Sequence, residues 1–195
     1  MTNIAIFVSG NGTNCENIIR YFKGSADASV RLVISNKADA YALARAARLG
    51  VPTVVMSRDE INDEQTMMCL LRNNHIGFIV LAGFMMIVPA FMVKSYARRI
   101  VNIHPSLLPK YGGRGMYGRH VHEAVKAAGE TVSGITIHYV SDTVDGGEII
   151  AQFSTPISPD DSAADIERKV RSLEMAHFPE VIGSVIRGIG KGEQR

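Results

Sequence analysis

Cysteine is scarce in this chain: two residues in 195, Cys15 and Cys69, with no CxxC spacing. That excludes a disulfide scaffold and a zinc knuckle, and it fits a reducing compartment. An excess of charge of one sign is missing too. The 21 Lys and Arg are interspersed with 19 Asp and Glu, for a net charge of +2, which leaves no electrostatic footprint for nucleic acid or an anionic membrane. Any anion has to be held locally. No linker-like stretch, internal repeat or low-complexity tract interrupts the sequence, and 195 residues at 46% hydrophobic content can bury the core of one domain.

Charge is absent altogether from Ile76 to Val93, and these eighteen positions just reach the length of a membrane-spanning helix. Gly77, Gly83 and Pro89 inside the run do not decide the matter, because membrane helices tolerate both residue types. A buried strand "FIVLAG", a loop and a short helix have the same composition, and that is the expectation. The opening "MTNIAIFVSG" lacks a basic leader and a small-residue cleavage site, so it reads as a first strand and the chain as cytoplasmic.

What is present is alternation. Short β-rich apolar runs recur at Ile4 to Val8, Val30 to Ile34, Thr53 to Met56, Phe78 to Leu81 and Ile100 to Ile103, with helical spacing between them. This predicts parallel strands joined by crossover helices, an α/β fold. Ile18, Ile19 and Phe22 share one face of a helix over 14–22, and an alanine-rich helix over 40–49 turns Leu43, Ala46 and Ala47 inward. After Ile103 a Gly-rich loop "YGGRGMYG" leads to a helix from Val121 to Ala128. Two β-rich runs, "SGITIHYV" and "EIIAQFS", then flank "SDTVDGG" as a hairpin-type appendage. Ser162 with Asp165 three residues on is a near match to a capping box, opening a long helix to about Gly188 that Pro179 should kink or split. The terminal "GIGKGEQR" reads as a solvated tail.

Two places carry chemistry. In "FVSGNGTNCEN", Gly10 and Gly12 stand between the first strand and the first helix, where bare amides can face an anion such as phosphate. The dinucleotide fingerprint needs a small residue where Cys15 stands, and there is no P-loop lysine; a tight turn without a ligand remains the competing reading. Cys15 has no base beside it and is expected to pack or donate an amide, not to act as a nucleophile. In "NIHPSLLPKYGG", Asn102 and His104 are two apart at a strand end, so both side chains leave the same face. A carboxamide and an imidazolium converging on one point can hold the oxyanion formed when a carbonyl carbon becomes tetrahedral. The charged histidine requires a carboxylate close by, for which Asp145 is the first candidate and Asp142 the second. The plainer alternative is that His104 caps the strand end and Asp145 belongs to a turn.

"SGNGTN", "AGFMMIVPAF", "NIHPSLLPKY" and "DTVDGG", in this order and at these spacings, resemble the glycinamide ribonucleotide formyltransferases, folate-dependent enzymes of purine biosynthesis. The resemblance covers nearly the whole chain, and the "NIHPSLLP" block with a later "DGG" is specific to the wider formyltransferase family. It implies a single Rossmann-like formyltransferase domain over 1–195: a mostly parallel twisted sheet with helices on both faces and an antiparallel strand in the C-terminal half. Residues 1–103 would form a parallel, phosphate-binding half and 104–195 a folate-binding and catalytic half. The implied reaction moves a formyl group from 10-formyltetrahydrofolate to the amine of 5'-phosphoribosylglycinamide, without metal, in a monomer or homodimer whose partners are small molecules.

The resemblance also assigns residues. Asn102, His104 and Asp145 are its catalytic trio: His104 the general acid and oxyanion partner, Asn102 the second donor, Asp145 the group that raises the histidine's pKa. Gly12, Thr13 and Asn14 would hold the ribonucleotide phosphate, with Cys15 and Glu16 completing the substrate-binding loop, Glu174 of the last helix near the glycinamide and Arg171 within reach of the substrate. The folate would lie along Met85, Met86, Ile87 and Val88, with Arg58 near its tail and Asn102, Ser141, Asp142, Thr143, Val144 and Asp145 against the pterin side.

Two departures stand out: family members often carry a basic residue where Met86 stands and a shorter loop where this chain has "YGGRGMYGRHVH". His120 and His122 lack a third ligand for a metal, His138 is placed as a support near Asp142, and His75 and His177 have no assigned chemistry. Arg168, Lys169 and Arg171 read as a solvated basic face. The competing functions are a different use of the same folate, as a hydrolase or with another amine acceptor, and a non-catalytic module that binds a phosphorylated metabolite.

Overall fold

The computed structural model describes residues 1–192. Its first strands and helices are β1 (Thr2–Val8), α1 (Thr13–Phe22), β2 (Ala28–Ser35), α2 (Tyr41–Arg48) and β3 (Thr53–Val55). There follow α3 (Arg58–Asn62), α4 (Glu64–Asn73), β4 (Ile76–Leu81), α5 (Ala90–Ser95) and β5 (Ile100–His104). The remainder is α6 (Arg119–Ala127), β6 (Val132–Tyr139), β7 (Ile149–Pro156) and α7 (Ala163–Gly192). The strands form one seven-stranded sheet in the order β3-β2-β1-β4-β5-β6-β7. β1 pairs in parallel with β2 and β4, β2 with β3, and β6 pairs antiparallel with β7. The α/β expectation and its antiparallel C-terminal strands are what the chain forms.

Two compact units divide the chain, one of Met1–Val101 together with the segment from Ile182 onward, the other of Asn102–Val181. In the first unit β1 runs through the middle, and Ile4, Ala5, Ile6, Phe7 and Val8 are all buried. A parallel strand covered on both faces has to be apolar at successive positions, not alternate ones. Each large side chain so buried contributes roughly 1.5–3 kcal/mol. α1 buries Cys15, Ile18, Ile19 and Phe22, the face expected from their spacing. α2 differs from expectation: Ala42 and Ala46 form its buried stripe, Leu43 is half-buried and Ala47 is exposed. The cause is the turn at Gly12, whose backbone rests against Ala42 and pulls that residue inward.

The charge-free run resolves into β4, an irregular segment and α5, and among the described residues no helix is long and apolar enough to cross a membrane. In the second unit β7 alternates between half-buried and exposed positions, as an edge strand with one covered face does. α7 begins on the expected capping box: the Asp165 carboxylate accepts from Ser162 N at 2.9 Å, and Ser162 Oγ accepts from Asp165 N at 3.2 Å. Pro179 does not split α7, which is helical on both sides of it, with Phe178 and Ile182 fully buried. The helix continues past Gly188 to Gly192, so a tail from 188 is not what forms; residues 193–195 lie outside those described.

Candidate active site

Gly12 closes the turn after β1 with φ 78°, a left-handed conformation at the start of α1. A Cβ there would run into the backbone and side chain of Ala42, so glycine is required by both dihedral and space. The turn is fastened by a residue that sequence reasoning missed. Arg45, from α2, donates to Asn11 O at 2.9 Å, to Asn11 Oδ1 at 3.2 Å and to Glu16 Oε2 at 2.5 Å. Arg20 reaches the other oxygen of Glu16 at 2.8 Å. Arg45 first, then Arg20, hold the Glu16 carboxyl below the usual carboxylate range. A carboxylate at the start of α1 would oppose a phosphate, but the two guanidiniums more than offset its charge. The only hint in the sequence was an arginine in an alanine-rich helix, which carries no address.

Cys15 is fully buried and its thiol is pushed up to about 12, by burial first and then by the Glu16 charge. It is a packing residue, not a nucleophile. Ser9 ties the end of β1 to the segment after β4: its hydroxyl donates to Asn36 Oδ1 at 2.6 Å and accepts from Met85 N at 2.9 Å. Met85 and Ile87 are exposed, Met86 and Val88 half-buried, so this stretch presents apolar side chains to solvent. Arg58 is exposed at the start of α3.

In the second unit the side chains of Asn102 and His104 do converge, and the point they meet is Asp145. Asn102 Nδ2 lies 3.5 Å from Asp145 Oδ1, and His104 Nδ1 lies 3.5 Å from Asp145 Oδ2. Asp145 is held from a third side by Gly113 N, which donates to Oδ2 at 2.9 Å. Asp142, the second candidate, is exposed on the same loop. His138 completes the cluster from β6. Its Nδ1 faces Tyr139 O at 2.9 Å, its Nε2 faces Asn102 Nδ2 at 3.1 Å, and the ring lies 3.6 Å from Asp145 Oδ1. A carbonyl only accepts, so His138 Nδ1 carries the hydrogen and Nε2 accepts from the Asn102 amide.

The electrostatics depart from expectation at His104. Its pKa lies below the ordinary 6.5: burial lowers it, and the Asp145 charge and the Tyr111 carbonyl, which raise it, do not make up the difference. The sequence reading has the direction of the Asp145 contribution right and the net result wrong, because a ring that is 4% exposed loses most of its hydration. Asp145 itself stays ionised. Burial alone would raise its pKa, but the His138 ring, the Gly113 amide and the nearby histidine charges bring it below the ordinary carboxylate value.

The other assigned residues are placed as follows. Ser141 Oγ donates to Thr143 O at 3.1 Å, shaping the turn whose exposed tip includes Thr143 and Val144. Glu174 is half-buried on α7, and Arg171 is exposed with its guanidinium paired to Glu167 at 2.6 Å. Arg168 and Lys169 are likewise paired, with Asp165 and Asp161, so this basic stretch is a neutralised solvated face. His122 is buried on α6 with Nδ1 lacking a hydrogen-bond partner, whereas His120 is exposed beside Glu123. Among the described residues no group of three or more His, Cys, Asp or Glu is arranged to hold a metal ion. His177 stacks on Phe153 at 3.8 Å.

Comparison with known proteins identifies the family and the fold. Residues 2–182 match the family model described as formyl transferase. The chain is 39% identical over 187 residues to the phosphoribosylglycinamide formyltransferase of Haemophilus influenzae, covering 93% of this chain and 86% of that protein. It is 37% identical over 192 residues to the trifunctional purine biosynthetic protein adenosine-3 of Drosophila melanogaster, of which it spans 14%. The crystal structure of phosphoribosylglycinamide formyltransferase from Anaplasma phagocytophilum superposes with a TM-score of 0.87 at 31% identity, over 95% of this chain and 87% of that one. The structure of the Coxiella burnetii enzyme of the same name gives a TM-score of 0.86 at 38% identity, over 96% and 88% of the two chains. The chain belongs to the formyl transferase family, among its phosphoribosylglycinamide formyltransferases.

Proposed function

We propose that this chain transfers the formyl group of 10-formyltetrahydrofolate to the amine of 5'-phosphoribosylglycinamide, giving the N-formyl product and tetrahydrofolate in purine biosynthesis. The observation that carries the reading is the convergence of Asn102 and His104 on one ionised carboxylate, each at 3.5 Å, in a chain of this family. A module that only binds a metabolite has no need of a buried imidazole beside a half-buried, ionised acid.

The resting imidazole is neutral at pH 7, since burial keeps its pKa low. It therefore starts as a proton acceptor. The substrate amine attacks the formyl carbon, the C–N bond forms, and the carbonyl oxygen becomes negative. The Asn102 N–H held by the longer contact, 3.5 Å to Asp145, is the donor that turns to this oxyanion. His104 takes the amine proton, Asp145 stabilises the imidazolium so formed, and the proton passes to the folate nitrogen as its bond to the formyl carbon breaks. Gly12, Thr13 and Asn14 serve the substrate phosphate, with Cys15 and Glu16 completing the loop, a role supported by the Gly12 turn and by Arg45 and Arg20, which neutralise Glu16. Met85, Met86, Ile87 and Val88 serve the folate ring, with Arg58 at its glutamate tail and the 141–145 loop on the pterin. Glu174 serves the glycinamide, and Arg171 reaches the substrate from the same helix. A cytoplasmic setting fits the two cysteines, both free.

The test incubates purified protein with 10-formyltetrahydrofolate and follows folate release by absorbance, with and without phosphoribosylglycinamide. Release that requires the ribonucleotide supports transfer. Release without it indicates a hydrolase, and silence in both mixtures indicates a binding module.

A further inference from the structure

Tyr111 is a non-glycine residue with φ +58°, in the left-handed region that costs an L side chain about 1–2 kcal/mol. Such a conformation persists where the surroundings over-determine it, and here contacts hold both ends of the residue. Its carbonyl oxygen lies 2.7 Å from His104 Nε2, and its phenolic hydroxyl donates to Glu130 Oε1 at 2.9 Å. Lys110 Nζ donates to the same Glu130 oxygen at 2.8 Å, and Ser106 Oγ donates to Lys110 O at 2.7 Å. Two residues on, Gly113 N donates to the Asp145 oxygen that faces His104 Nδ1. The segment 111–113 thus touches the imidazole and the acid at once. Gly112 lies so close to Leu108 and Asp145 that a Cβ there would meet both, leaving the backbone little room to shift.

We infer that Tyr111, anchored through its hydroxyl to Glu130, is a positioning residue that fixes the tautomer of His104: its carbonyl obliges Nε2 to carry hydrogen and leaves Nδ1, facing Asp145, as the nitrogen that gains and loses the proton. The step is chemical. A carbonyl oxygen cannot donate, so the nitrogen 2.7 Å from it is N–H whether the ring is neutral or charged. Of the titratable groups near His104, Asp145 alone favours charge on the ring; His138 disfavours it, and His122 is coupled to it weakly from α6. None of them reaches Nε2 within hydrogen-bond distance, so the Tyr111 carbonyl alone sets that end. The Tyr111 and Glu130 side chains line a cleft of about 390 Å³. Loss of the hydroxyl contact beside this cleft is not made good by packing: Gly112 keeps its place, but the Tyr111 peptide loses the anchor that holds its left-handed φ, and its carbonyl can turn away from Nε2.

The inference rests on the proposed transferase reading for its kinetic consequence but not for its spectroscopic one. Nitrogen-15 NMR of His104 in the free protein should show the pure Nε2–H tautomer. Tyr111→Phe and Glu130→Ala, each of which removes the hydroxyl contact, should each give mixed-tautomer shifts. Lys110→Met, which removes only the second occupant of Glu130, should keep the parental shifts. Formyl transfer by Tyr111→Phe and Glu130→Ala should lose roughly tenfold in kcat with KM for both substrates unchanged, as a small misplacement of a reacting group does. Retention of the pure tautomer in both variants overturns the inference whatever the rates. A changed tautomer in a protein whose parent transfers no formyl group leaves the positioning role standing and removes the transferase reading.

Discussion

Replacing Asp145 by Asn is the sharpest test of the proposed chemistry, because it removes one charge and keeps the shape. At 3.5 Å from His104 Nδ1, a full carboxylate contributes about 5 kcal/mol to imidazolium formation at an effective dielectric near 20. At about 1.4 kcal/mol per factor of ten, Asp145→Asn should cost on the order of 10³ in kcat. The loss should fall on kcat more than on KM, because the imidazolium exists only as the amine transfers its proton. The carboxamide oxygen can still accept from Gly113 N, so the loop should keep its place and the protein should remain folded. The assay is the ribonucleotide-dependent release of folate at pH 7, with thermal unfolding as a control for the fold. A folded Asp145→Asn protein within tenfold of the parental kcat would mean that Asp145 does not support a charge on His104, and the mechanism would be wrong.

Three further outcomes are expected. Gly12→Ala should lower stability by more than about 1 kcal/mol and raise KM for the ribonucleotide, since alanine meets both a left-handed φ and the backbone of Ala42; a thermal melt and a saturation curve matching the parent would contradict this. Native protein treated with iodoacetamide should be alkylated at exposed Cys69 and not at buried Cys15, whose thiol sits at about 12; mass spectrometry showing Cys15 labelled at pH 8 would refute its inertness. Acid should destabilise the fold in two stages. His104 and His122 have folded pKa values below 6.5, so under pH 6.5 the unfolded chain binds protons that the folded chain does not, and stability falls by up to about 1.4 kcal/mol per pH unit for each. Asp145 and Asp165 have folded values below 3.8, about 2 for Asp165, so their contribution is present above 3.8 and is lost as the pH falls through the folded values. A Tm that stays flat from pH 7.5 to 5.5 would contradict the first stage.

Legibility in the sequence followed locality. The strand at 4–8, the face made by Ile18, Ile19 and Phe22, and the Ser162–Asp165 cap depend on residues within one or two turns of each other, and all three appear as expected. Misjudgements came where distant chain intervened. Ala42, not Ala47, faces inward because the Gly12 turn, thirty residues earlier, presses on it. Arg45 was invisible as a site residue, since its partners Asn11 and Glu16 lie on another helix and its turn.

The sequence by itself determined the α/β pattern, the glycine turn and the pairing of Asn102 with His104 on one face of a strand, because side-chain period and turn chemistry are short-range properties of the backbone. The family followed from motifs of the same kind. Only the tertiary structure decided what state His104 rests in. The Asp145 charge that favours protonation was foreseeable from the "SDTVDGG" segment and the family motif, but the burial that outweighs it, and the Tyr111 carbonyl that occupies Nε2, arise from how the chain folds around residue 104.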